Sequence, residues 1–234
     1  LTSIRLDRFT QILLVFSGII ILVMGLVSLS MPLKFDALVY HLTIPQNYVD
    51  LGRIRYLPDN FYWGMPEIAE MLYTLAISLA GVQTASYLGY LVGCIGLIGI
   101  WGFTTDRFDS KSAAIAIASL LCGYTLYSSL AWGYVDWFCF LFGAGFFIFI
   151  DRWTQSHALK DIILAGVFAG FAVSVKYSSG ILGGIGIIFI LWHNWKSKKF
   201  RSVPFFYFSL SALLVFSPWL IDRKSTRLNS SHRT

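Results

Sequence analysis

Three ionisable side chains stand where apolar runs begin or end: Asp36 in LKFDALVYHLTIP, Asp136 in WGYVDWF and Lys176 in FAVSVKYSSG. Phe35, Leu38, Val39, Tyr40 and Leu42 surround Asp36 at helical spacing. A carboxylate held against such a stripe is partly desolvated, the setting of a general base; the plainer alternative is a solvated helix end. Asp136 is flanked by Trp132, Tyr134 and Trp137, aromatics most simply read as an interfacial belt. A carboxylate at the start of a lipid-exposed span is costly unless it is paired, solvated or metal-bound, so Asp136 is a second functional candidate. Lys176 can snorkel to headgroups or bind a phosphate.

The segment 31–66 adds polar groups between aromatics, among them Tyr40, His41, Gln46, Asn47, Asp50, Arg53, Arg55, Asp59 and Asn60. Arg53 and Arg55 alternate beside Gly52 and suit a phosphate or lipid headgroups. Tyr40, His41 and Glu70 complete the candidate substrate-binding set, although a lone His beside a Tyr is commonly a structural hydrogen-bonding residue. No Walker loop, GxGxxG fingerprint, GxSxG elbow or HExxH helix occurs, which removes the usual markers of nucleotide-driven and hydrolytic chemistry. Cys94, Cys122 and Cys139 lie inside apolar runs without ligand spacing and read as small hydrophobes. Gly180, Gly183, Gly184 and Gly186 read as helix-packing contacts.

The elements that must position these groups are membrane helices. Charged residues make up 13% of the 234-residue chain and the mean hydropathy is +0.68. Soluble domains carry roughly 25% charged residues, so this chain cannot clothe its own surface with polar groups and lipid is its solvent. The net charge of +6 is concentrated in short loops and the tail, a topology signal and not a nucleic-acid face. Apolar runs cover roughly 9–30, 67–81, 84–103, 112–131, 137–150, 161–175, 180–193 and 203–221.

Run 67–81 decides the topology. If it spans, Arg107 and Lys111, Arg152 and Lys160, and Lys196, Lys198, Lys199 and Arg201 all face outward, against the positive-inside rule. If it lies at the interface, every cluster is cytoplasmic. The expected architecture is therefore all-α, with about seven transmembrane helices and a long first outer loop, 31–83, carrying juxtamembrane helices. Residues 1–221 form one truncated membrane domain, and DRKSTRLNSSHRT, 222–234, reads as a non-native tail. Asp36, Asp136 and Lys176 then share the outer face.

The run FDALVYHLTIPQNYVDLGRIRYLPDNFYWGMPEIAEMLY, with YVDWF and GVFAGFAVSVKYSSG after it, resembles the GT-C membrane glycosyltransferases. It is most similar to bacterial relatives of the protein O-mannosyltransferase and aminoarabinose transferase group. The resemblance implies a polyprenyl-phosphate monosaccharide donor and an acceptor hydroxyl on a lipid, glycan or protein, at the outer face of a multi-pass bacterial inner-membrane enzyme. It maps the catalytic carboxylate onto Asp36, a second acidic position onto Asp136 and a motif lysine onto Lys176. Asp136 would orient the acceptor or, with Asp36, hold a divalent ion; no other cofactor is implied. Ala37 follows Asp36 where protein O-mannosyltransferases carry a Glu, which departs from a protein-acceptor pattern. The rival reading is a transporter, which calls for polar groups at the bilayer midplane and internal repeats; here the polar groups cluster at one face.

Overall fold

A computed structural model describes residues 6–57, 59–196 and 202–230, with 222–230 described by backbone alone. Lys198, Lys199 and Arg201, used above for topology, and the last four residues of the expected tail lie outside the described residues. The rest is helical, as expected: α1 (Arg8–Ser28), a π-helix (Ala37–His41), α2 (Thr43–Leu51), α3 (Ile68–Ala80), α4 (Val82–Arg107), α5 (Ser110–Cys122), α6 (Tyr124–Ser128), α7 (Asp136–Ser156), α8 (Leu159–Val175), α9 (Ile181–Lys196) and α10 (Ser202–Ser230). Two compact units emerge, one of residues 1–63 and 69–141, the other of 64–68 and 142–234.

In the first unit, α1 is capped by Asp7, whose Oδ1 accepts from the Thr10 amide at 2.7 Å. Asp109 caps α5 in the same way, accepting from the Ser112 amide at 2.6 Å. Hydrogen bonding to these helix-start donors, Thr10 and Ser112, holds both carboxyls below the ordinary carboxylate value. α1 packs on α4 and α5. Its Ile20, Ile21 and Met24 meet a core of Leu97, Ile117, Leu121, Leu130 and Trp137. The opposite stripe of α1, Ile12, Val15, Ile19, Leu22 and Leu26, is exposed. That spacing is one helix face, apolar and uncovered, and it fits lipid.

In the second unit, α8 packs on α10 and α9, around Phe146, Ile150, Trp153, Ile162, Ala165, Ala169, Ile190 and Phe208. Gly166 and Gly170, one turn apart, make the α8–α10 approach possible. A methyl at Gly166 would strike Ser211 Oγ and the Phe208 carbonyl, and one at Gly170 would come 2.6 Å from the Ala212 carbonyl. Of the glycines expected to do this, Gly186 does, against the Phe208 ring; Gly183 and Gly184 face open space among the described residues. α10 contains Pro218, and the Ser217 hydroxyl donates to the Leu214 carbonyl at 2.8 Å. Leu214 is the residue whose carbonyl an amide at position 218 would have bonded.

Among the described residues, four helices are long and apolar enough to cross a membrane: α1, α4, α7 and residues 202–221 of α10. A fifth span is reached only if α5 and the segment to Ala131 count as one, broken by 86°. The seven expected crossings exceed this count because α8 and α9 have 17 and 16 residues and the run 112–131 bends at Gly123. α3 has 13 residues, about 20 Å by helix rise against a hydrocarbon core of about 30 Å.

Candidate active site

Asp36 lies half-buried at the mouth of the π-helix. The Leu42 amide bonds the Ala37 carbonyl, five residues back, at 2.9 Å. That extra residue per turn breaks the 3.6-residue spacing assumed from sequence. Phe35 and Leu38, expected to bury the carboxylate, are exposed, while Ala37 and Leu42 are buried. The Asp36 carboxylate makes no side-chain cap bond. The π-turn is held from outside. The Thr43 hydroxyl donates to the Leu38 carbonyl, Asn60 Nδ2 donates to the Val39 carbonyl at 3.1 Å, and the Tyr40 ring stacks on Tyr62 at 4.4 Å.

His41 closes this turn and points inward. Its Nδ1 lies 2.6 Å from Glu70 Oε1 on α3, with His41 2% and Glu70 4% exposed. His41 Nε2 and Glu70 Oε2 are buried without a hydrogen-bond partner among the described residues. Three residues along α3 from Glu70, the Tyr73 hydroxyl donates to the Tyr134 carbonyl at 2.9 Å, and the Tyr134 ring lies 6.0 Å from that of His41. Burial, reinforced by the charges of Glu70 and Asp136, pushes the Tyr73 phenol well above its ordinary value, so it stays a neutral donor.

Tyr134 leads into Asp136, which opens α7 on the exposed side, where a carboxylate complements the helix N-terminus. Gly133 makes this approach, at φ +69; a Cβ there would come 2.8 Å from Ser86 Oγ and 3.1 Å from Leu42 Cδ1. Trp132 sits under Lys34, whose Nζ lies 4.4 Å from the ring centroid. Trp137 is no belt residue. It is buried in the core and donates through Nε1 to Ser129 Oγ at 2.9 Å.

The charges of Asp36, Glu70 and Asp136 all act on the Tyr40 phenol, which burial has already raised above the usual tyrosine value. Carboxylates 100 positions apart thus come within electrostatic reach of one hydroxyl, inside one unit. Arg53 and Arg55 are exposed beyond Gly52, itself left-handed at φ 62 where α2 ends. Lys176 belongs to the second unit, half-buried where α8 gives way to a 3-10 turn. No group of three or more His, Cys, Asp or Glu side chains is placed to hold a metal ion among the described residues. Tyr62, Tyr73 and Lys34 were not singled out by residue type, because each acts through a partner distant in sequence.

Comparison with curated proteins and with solved structures returned no match. The family model for dolichyl-phosphate-mannose-protein mannosyltransferases matches residues 66–221, more than half of the chain. The matched stretch takes in Glu70, Asp136 and Lys176 and begins after Asp36. With its apolar helices and this match, the chain belongs to the dolichyl-phosphate-mannose-protein mannosyltransferase family and is a membrane glycosyltransferase of the mannosyltransferase-like kind.

Proposed function

We propose that the protein moves a monosaccharide from a polyprenyl-phosphate donor to an acceptor hydroxyl at the non-cytoplasmic face of a bacterial inner membrane, with inversion at the anomeric carbon. The observation that carries the reading is the convergence of Asp36 and Asp136 on Tyr40 in a chain of this family. Asp36 is the general base. It takes the acceptor hydroxyl proton as that oxygen bonds the anomeric carbon, while the bond from that carbon to the phosphate oxygen breaks on the opposite side. The electron pair leaves with the polyprenyl phosphate. Arg53 or Arg55 offsets charge growing on that phosphate. Asp136 orients the acceptor, with Tyr40 beside it as a neutral phenol able to hydrogen-bond a sugar hydroxyl.

Replacing Asp36 by Asn in the intact membrane-embedded protein tests this. Release of polyprenyl phosphate from a radiolabelled polyprenyl-phosphate mannose should fall by about 10³-fold, within the range for losing a general base, at unchanged expression. Wild-type turnover by that variant refutes the assignment. Impermeant thiol labelling of cysteines placed at positions 53–56 should occur from the outer side.

A further inference from the structure

We infer that the buried His41–Glu70 pair is a positioning device that sets the direction of the Asp36 carboxylate; this rests on Asp36 being the general base. Asp36 opens the π-turn and His41 closes it. The carboxylate has no hydrogen bond of its own among the described residues, so its direction is inherited from the turn. A π-turn persists only where its surroundings impose it. Most of its supports come from nearby chain, namely Thr43, Asn60 and Tyr62. Among the described residues, the His41–Glu70 contact is the side-chain hydrogen bond that ties the turn to α3.

The chemistry of the contact argues against a merely structural anchor. An apolar pair of the same volume would fasten the turn without burying a carboxylate and an imidazole, and without leaving Nε2 and Oε2 unmatched. What the polar pair adds is direction. With Glu70 as carboxylate, Nδ1–H must donate, which fixes both the tautomer and the plane of the ring. α3 also holds the Tyr134 carbonyl through Tyr73, so the same helix sets the segment that delivers Asp136.

Asparagine reproduces the Nδ1 donor of histidine, and glutamine places its amide near the Nε2 position. In the intact protein in native membranes, with radiolabelled polyprenyl-phosphate mannose, His41→Asn should keep kcat within about threefold. His41→Gln should lose about 10²-fold in kcat, the scale of a misplaced reacting group, with the donor KM changed less than about twofold. Should His41→Gln fail to accumulate, Glu70→Met takes its place with the same expected kcat loss. Equal losses in His41→Asn and His41→Gln, a loss confined to KM, or wild-type kcat in His41→Gln overturns the inference. Asp36→Asn run alongside separates the two ideas. If it is dead while His41→Gln is fully active, only the positioning role falls; if it is fully active, the general-base reading falls with it.

Discussion

The π-turn region of the first unit and the α8–α10 contact of the second solve opposite problems. Around Asp36 the backbone is irregular and is kept so by polar side chains with specific partners: His41 on Glu70, Asn60 on the Val39 carbonyl, Tyr73 on the Tyr134 carbonyl. Between α8 and α10 the backbone is regular, and closeness comes from side chains that are missing, at Gly166 and Gly170. Polar ties are directional and suit the proposed site, in which one carboxylate would aim at one atom. Glycine contacts are directionless and suit two helices that only have to stay together in lipid, where burial of apolar surface drives nothing. Substitutions in the first region should therefore damage turnover before stability, and in the second, stability before turnover.

The sharpest break of this contrast is Asp36→Asn, expected to cost about 10³-fold in transfer with no change in thermal unfolding of the detergent-solubilised protein. Next comes Gly170→Val. Its Cβ would meet the Ala212 carbonyl and, at 2.8 Å, the Val215 Cβ, backbone and branch atoms that cannot swing away. Overpacking of this kind should cost about 3 kcal/mol, read as a lowered unfolding temperature and poor accumulation in membranes. Tyr73→Phe is smaller. Losing its hydroxyl leaves the Tyr134 carbonyl without that donor at a cost of about 1 kcal/mol, with a kcat loss larger than the stability loss implies if α3 aims the Asp136 segment. The smallest effect sharpens the glycine argument: Gly183→Ala, facing open space inside α9, should be neutral or stabilising by at most about 1 kcal/mol. A large destabilisation there would mean that α9 carries a close contact outside the described residues.

Much of this was legible from residue types. The membrane class follows from composition, the helical fold from the apolar runs, and Asp36 and Asp136 from carboxylates out of place beside apolar segments. Three things were not legible. The π-turn depends on an i to i+5 hydrogen bond that no local propensity announces, so the stripe around Asp36 was assigned with the wrong period. The His41–Glu70 pair joins positions 29 residues apart, and each residue alone looks like an ordinary polar side chain. Gly166 and Gly170 were passed over for the denser run at 180–186, where Gly186 packs on Phe208 but Gly183 and Gly184 do not meet a described neighbour, because glycine frequency does not say which face of a helix meets a neighbour. Trp137 shows the same limit, since an aromatic beside a membrane carboxylate can sit in a core as readily as in a belt.

The hydroxyl of Ser217 lets α10 carry a proline near the end of its span. A proline partway along a span interrupts the ladder of backbone bonds and leaves one carbonyl with nothing to bond in hydrocarbon. Here a side chain one position away occupies that carbonyl, so the interruption is mended by a group that can rotate off it. The serine therefore spares the end of the span the unpaired carbonyl that a proline there would otherwise leave in hydrocarbon.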